Sequence, residues 1–279
     1  MSAYSEQALV FQCQGESLVG VLSIPESPAG RAVLIVVGGP QYRAGAHRQF
    51  TLLARHLAGE GIASLRFDYR GMGDSSGAGR SLERAGDDIG CAIDRLLEAL
   101  PRVREVVIWG LCDAASAALF YAHRDARVSG LVLLNPWVRT EQGLARAQLR
   151  HYYGARLLQA SFWRKLLRGE FKLRAAGASL GKAVRDAAGH DSAMAHAPLP
   201  ERMEDGLRRF KGRVLFILSG NDLTAQEFKA LVASARGWRR LLQDPRMEQY
   251  ELPHANHTFS TREWRDEVAG RTAAWVKAL

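Results

Sequence analysis

The run Val106-Val107-Ile108-Trp109-Gly110-Leu111-Cys112-Asp113-Ala114 constrains this chain more than any other stretch. It begins as an apolar segment of the kind that forms a buried strand. It continues into Ala114-Ala115-Ser116-Ala117-Ala118-Leu119-Phe120-Tyr121, which reads as a small-residue helix. Only a sharp turn separates the two. So abrupt a reversal brings the residues two before and two after its apex together, and both must be small, as Gly110 and Ala114 are. Cys112 stands at the apex, at a helix N-terminus whose dipole and free N–H groups favour a thiolate over a thiol. A plain buried cysteine after a strand is the simpler account, since free cysteine is among the most buried residue types. The rest of the chain decides between the two.

The 279 residues are enough for one large α/β domain. The 47% hydrophobic and 24% charged content is that of a soluble globular protein. No apolar run approaches the roughly 18 residues of a membrane span. The opening Met1-Ser2-Ala3-Tyr4-Ser5-Glu6-Gln7 lacks the basic and apolar regions of a signal peptide. Cys13, Cys91 and Cys112 are odd in number and far apart in sequence, which argues against a disulfide scaffold and for a reducing, cytoplasmic setting. Cys13 and Cys91 fall in strand and helix patterns and read as core. No paired metal-ligand spacing occurs, so neither metal nor cofactor is expected. The net charge of +9 comes mostly from arginines scattered through helical segments, without a basic tail or an aromatic stacking motif. Nucleic acid is therefore not the expected partner; a small anionic substrate or an acidic acyl carrier fits the charge better.

Alternating apolar and polar residues predict strands over 9–13 and 18–24, joined at Gln14-Gly15-Glu16. Continuous apolar runs over 32–37 and 63–67 predict strands buried on both faces, with a helix over 50–57 between them. A helix follows over 81–100, capped by Ser81 and stopped before Pro101. Further strands are expected over 105–109, 130–134, 213–219 and 249–252, and a closing helix over 263–279. Such alternation implies a mostly parallel, doubly wound sheet of eight strands. Between the sixth and seventh strands lies a long interval with helical but no strand character. A structureless loop of that length is improbable, so residues 137–211 are expected to form a helical cap inserted into a core of 1–136 and 212–279. The expected cap helices are 141–153, 156–168 and 179–188. Basic residues outnumber acidic ones there, which suits either a solvated helical surface or a lid that attracts anions.

A cysteine nucleophile needs a base, and the base needs an orienting acid. Downstream, Val214-Leu215-Phe216-Ile217-Leu218 runs into Ser219-Gly220-Asn221-Asp222. An Asp in the turn leaving a central strand lies at the carboxyl edge of the sheet, where sites of open sheets form. Asp222 is thus the candidate acid, with capping of the next helix as its alternative role. In Leu252-Pro253-His254-Ala255-Asn256-His257-Thr258-Phe259-Ser260 two histidines share a loop. His257, nearest the closing helix, is the candidate base, and His254 the alternative. The loop Val37-Gly38-Gly39-Pro40-Gln41-Tyr42-Arg43 follows the third strand. Its Gly39 or Gln41 N–H, since Pro40 has none, would pair with the Asp113 N–H as an oxyanion hole. Tyr42, Arg43 and Arg48 stand close by as candidate substrate contacts, and Arg70 and Asp74 belong to a glycine-rich turn read as structural.

Taken in order, Gly-Gly-Pro-Gln-Tyr-Arg, Phe-Asp-Tyr-Arg-Gly-Met-Gly-Asp-Ser, Gly-Leu-Cys-Asp-Ala-Ala-Ser, Ser-Gly-Asn-Asp and His-Thr-Phe-Ser span nearly the whole chain. Together they resemble the α/β-hydrolases, whose nucleophile sits in a Gly-x-Ser-x-Gly elbow and whose triad runs nucleophile, acid, histidine. The first and third segments more narrowly resemble the exosortase A system-associated hydrolases (type 1), bacterial proteins of exopolysaccharide and protein-sorting gene sets. Serine gives way to cysteine here, as in dienelactone hydrolases, which the chain resembles at the triad alone. The resemblance implies an α/β-hydrolase fold and a Cys112–His257–Asp222 triad. It also implies acyl hydrolysis of an ester, thioester or lactone, or acyl transfer, on a small-molecule or carrier-linked substrate. The alternative is a non-catalytic binding or scaffold protein that keeps the fold; a Cys112 sulfur out of reach of every histidine would favour it.

Overall fold

The sheet is antiparallel at one edge, where the chain enters as a hairpin. In a computed structural model of the protein, which describes residues 3–39, 41–79, 84–138 and 197–279, strand β1 (Tyr4–Cys13) pairs with β2 (Glu16–Pro25) from Tyr4↔Pro25 to Cys13↔Glu16. Gln14 and Gly15 turn the chain with φ of 51° and 84°, the left-handed pair that suits a tight hairpin. β1 is longer than the predicted 9–13. Its first five residues are all exposed, so apolar periodicity is silent there while the backbone ladder continues.

β2 then pairs antiparallel with β4 (Ala63–Phe67), and all remaining neighbours are parallel. With β3 (Arg31–Val36), β5 (Glu105–Leu111), β6 (Val128–Leu134), β7 (Arg213–Ser219) and β8 (Met247–Leu252), the sheet has eight strands in the order β1-β2-β4-β3-β5-β6-β7-β8. The central strands are buried along nearly their whole length, which is why they read as continuous apolar runs.

Helices cover both faces. On one, α1 (Gln49–Gly59) and the closing helix, Arg262–Lys277, pack onto Val33, Ile35, Val107, Trp109, Val132 and Ile217. Phe50 meets the Trp109 ring edge-on at 5.7 Å. On the other lie α2 (Gly86–Ala99) and α3 (Asp113–Tyr121). Phe216 of β7 turns to that same face, opposite its neighbours Leu215 and Ile217. There it stacks on Phe228, at 5.4 Å.

The expected cap helices over 141–153, 156–168 and 179–188, and the expected cap residue Ser81, lie outside the described residues. By its contacts the chain divides into Met1–Val138 with Met203–Leu279, and Arg139–Arg202. Helix α4 (Leu199–Arg209) falls inside the interval predicted as the insertion. From Met203 onward it packs on α3: Met203 and Leu207 are fully buried, and a Cβ on Gly206 would lie 2.2 Å from the Leu119 carbonyl oxygen. Three more helices complete the chain: α5 (Leu223–Ser234), α6 (Arg236–Leu241) and α7, the closing helix, which Thr261 caps by accepting the Trp264 N–H. Among the described residues no helix is long and apolar enough to cross a membrane.

Candidate active site

Cys112 joins β5 to α3 with φ 63° and ψ −122°, a left-handed conformation that a residue with a side chain adopts only when its surroundings impose it. Hydrogen bonds do so. The Cys112 N–H donates to the Leu134 carbonyl of β6 at 2.8 Å, and the Cys112 carbonyl accepts from Ala115 and Trp137 at 3.1 and 3.2 Å. A Cβ on Gly110 would sit 2.7 Å from the Ala114 carbonyl carbon, so the turn admits only glycine there. This close approach is the physical content of the small-residue spacing around Cys112.

The acid and base arrive on two loops that press together. After β7, a Cβ on Gly220 would lie 2.0 Å from the Pro253 carbonyl oxygen, which makes glycine obligatory. Gly220 and Asn221 N–H groups donate to the Leu252 and Ala255 carbonyls at 2.8 and 3.0 Å. Asp222 and His257 thereby meet, with Asp222 Oδ2 3.0 Å from His257 Nδ1. The same oxygen accepts the Ala225 N–H at 3.0 Å, so Asp222 is both helix cap and histidine partner. Burial pushes the Asp222 carboxyl up, but the hydrogen bond and charge of His257, with the Ala225 and Thr224 N–H groups, outweigh it and hold the group below the usual range. The His257 pKa is raised to about 10, first by its hydrogen bond to Asp222 and next by one to Cys112, against the opposing effect of burial. Asp222 and His257 are thus directly paired, and Cys112 is near enough to the imidazole to contribute to its shift. His254, the alternative base, is exposed on the same loop.

Sequence reasoning missed the residues that hold the two loops to the elbow. Asn135, just past β6 with φ 42°, donates through Nδ2 to Ser219 Oγ at 2.8 Å and to the His257 carbonyl at 3.2 Å. Its Oδ1 accepts the Ser219 N–H at 2.9 Å, and Ser219 Oγ donates to the Asn256 carbonyl at 2.9 Å. Asparagine tolerates this conformation better than most residues, so an Asn ending a strand was the one available signal. Replacing Asn135 by Ala strands buried Ser219 groups and is expected to cost about 1–3 kcal/mol in urea denaturation. Asn135→Gly relieves the backbone strain without restoring the bonds, and should remain clearly destabilised.

The loop after β3 departs from expectation in two places. Gly39, expected to aim its N–H at an oxyanion, donates instead to Asp113 Oδ2 at 2.8 Å. Burial pushes the Asp113 carboxyl above the usual range despite N–H groups of Gly39, Ala114 and Asp113 itself. Gln41 is half-buried, and its Oε1 accepts the Ala46 N–H at 3.1 Å. Arg43, expected to face substrate, is instead part of the loop's frame. Its guanidinium pairs with Asp68, which is 1% exposed, and with Asp74 at 2.6 Å, while its N–H donates to Asp68 Oδ1 at 2.6 Å. A cation beside a glycine turn reads the same in sequence whether it faces a ligand or a buried carboxylate. Tyr42 and Arg48 remain exposed on this loop, Arg48 with φ 60°. Arg70 does not border the site: its fully buried side chain pairs with equally buried Asp88 at 2.5 Å. Among the described residues no group of three or more His, Cys, Asp and Glu is placed to hold a metal ion.

A family model described as "Serine aminopeptidase, S33" (Hydrolase_4) matches residues 28–212, well over half of the chain. The chain belongs to the Hydrolase_4 family. The turn between β5 and α3 carries a cysteine, Cys112. Solved structures share the fold at low identity. The esterase Pf2001 of Pyrococcus furiosus aligns over 99% of this chain and 91% of its own, with TM-score 0.68 and 14% identity. Est1E of Butyrivibrio proteoclasticus, solved with ferulic acid, gives 0.64 and 16% over 97% and 98%. A dienelactone hydrolase of Anabaena variabilis gives 0.63 and 16% over 99% and 98%. No curated protein matches the chain. The α/β-hydrolase fold expected from the sequence is the fold of this protein.

Proposed function

We propose that this Hydrolase_4 member is a cytoplasmic ester, thioester or lactone hydrolase that works through an acyl-cysteine intermediate on Cys112, with His257 as proton carrier and Asp222 as its orienting acid. The observation that carries this reading is the Asp222–His257 hydrogen bond, at the carboxyl edge of the sheet where Cys112 occupies its strained turn. It also favours catalysis over a binding role, because a nucleophile without a histidine in reach would have no such partner.

With its pKa near 10, His257 carries a proton at neutral pH and faces Cys112 as an imidazolium. In the reaction, the Cys112 sulfur bonds to the acyl carbon and the carbonyl π pair moves to oxygen. The oxyanion is held by the Asp113 N–H and the Gln41 N–H, the loop donor left once Gly39 is engaged by Asp113. When the carbonyl re-forms, the leaving group departs with the His257 proton. Acylation removes the Cys112 interaction that helped to raise the His257 pKa. The imidazole is then able to take a proton from water, which attacks the thioester and expels Cys112. Asp222 keeps the proton on Nδ1 and directs Nε2 to the reacting atoms throughout.

The acyl donor belongs to a small-molecule or carrier-linked class, with an anionic one favoured by the excess of basic residues between 139 and 185. Transfer to another acceptor in place of water uses the same intermediate. The resemblance to exosortase-associated hydrolases supports an exopolysaccharide setting, and Tyr42 and Arg48 are the exposed loop residues proposed to meet the substrate.

The direct test is an acid quench of the protein mixed with acyl thioesters and p-nitrophenyl esters, followed by peptide mass mapping. An acyl mass on the Cys112 peptide, absent in Cys112→Ala, is the expected result. Turnover of these substrates with no trapped adduct, and with Cys112→Ala equally active, would overturn it.

A further inference from the structure

Two cysteines that play no part in the site lie side by side. Cys13 ends β1 and Cys91 sits in α2, and their sulfurs are 2.6 Å apart. Carbon atoms that are not bonded pack at roughly 3.5–4.0 Å, and sulfur is larger, whereas a disulfide bond is about 2.05 Å long. The contact is thus already inside non-bonded distance, and closing about 0.6 Å would complete a bond. Cys13 is 1% exposed and Cys91 half-buried. Neighbouring groups hold the Cys13 end of the pair. Cys13 Sγ donates toward the Asp87 carbonyl at 3.5 Å and Asp88 Oδ1 at 3.7 Å. Next to it, Gln14 bridges Asp87, at 2.7 Å, and Arg70, at 2.6 Å.

We infer that Cys13 and Cys91 are a reversible disulfide site, oxidised by exchange with low-molecular-weight disulfides of the glutathione class, that fastens the edge strand to α2. The half-buried Cys91 reacts first. Its thiolate attacks one sulfur of RSSR and expels RS⁻, which is protonated to RSH. Cys13 then attacks the Cys91 sulfur of the mixed disulfide, and the second RS⁻ leaves with the Cys13 proton. Two protein thiols are oxidised and one RSSR is reduced to two RSH. Burial and the neighbouring Cys91 hold Cys13 in its thiol form, so Cys91 makes the first attack; once Cys91 is in the mixed disulfide its thiol no longer raises Cys13, which gives up its proton as the second RS⁻ leaves. A cross-link of this kind, transient in a reducing compartment, closes a long loop and stiffens the unfolded chain.

Oxidised glutathione titrated against the whole wild-type protein, with alkylation of the remaining thiols and peptide mass mapping, tests this without any substitution. The expected product shows a linked peptide pair carrying Cys13 and Cys91 that has lost two hydrogens, with Cys112 outside the link, either free or capped by glutathione. It returns to three free thiols with dithiothreitol, and its Tm exceeds that of the reduced form by roughly 5–10 °C. A glutathione adduct that persists on Cys91, a link that includes Cys112, or full alkylation of Cys13 and Cys91 after oxidant would each overturn the inference. Cys91→Ser, on the exposed side of the pair, should abolish both the two-hydrogen loss and the oxidant-dependent rise in Tm; retention of either also overturns it.

Discussion

Cys112→Ala is expected to reduce ester or thioester hydrolysis by roughly 10⁴-fold or more, as loss of a covalent nucleophile does in acyl-transfer enzymes. His257→Ala should fall nearly as far, because the two residues act as one unit and their effects do not add. Iodoacetamide separates reactivity from turnover. At about pH 7 the wild-type Cys112 faces an imidazolium, so alkylation should be at least about tenfold faster than in His257→Ala. The sign of the pH dependence follows from the raised His257 pKa. The proton is retained as pH climbs through the ordinary histidine range and is lost only near 10, so the wild-type rate should stay high across that window. Asp222→Asn removes the largest cause of the elevation, and the imidazole should then titrate at lower pH, which proton NMR of the ring reads directly. Equal alkylation in wild type and His257→Ala would remove the histidine from the mechanism.

Asp88→Ala is expected to destabilise the fold by about 3–5 kcal/mol. Arg70 and Asp88 are both fully buried and paired at 2.5 Å, and the Arg70 N–H also donates to Asp88 Oδ2 at 2.9 Å. Removing the carboxylate leaves a buried guanidinium without its main counter-charge, which costs far more than an exposed pair would. Replacing both members by apolar residues should be milder than either single change. Urea denaturation of Asp88→Ala, Arg70→Met and the double variant measures the coupling; a single-variant loss below about 1 kcal/mol would assign the pair to a surface-like role.

The residues that act in the proposed chemistry were legible because each is marked by local context. Cys112 follows a strand and has small residues two places away on both sides. Asp222 leaves a central strand, and His257 precedes the closing helix. What was not legible depends on tertiary approach. Asn135 and Ser219 are 84 residues apart in sequence, and neither carries a pattern that announces the other. The frame role of Arg43 is not legible because its partners, Asp68 and Asp74, come from a different loop. The partner of the Gly39 N–H is not legible because the side chain that takes it, Asp113, follows Cys112 far along the chain. The exposed half of β1 has no apolar periodicity to betray it. Cys13 and Cys91 looked distant because sequence separation says nothing about a strand laid against a helix.

The hydrogen bonds that unite Asn135, Ser219, Asn256 and His257, and those that set Cys112 on Leu134 and Trp137, all join residues outside 139–202. The reacting groups therefore carry their own scaffold. Evolution, or an engineer, is free to exchange the intervening stretch for another of different length and charge without breaking one of these bonds.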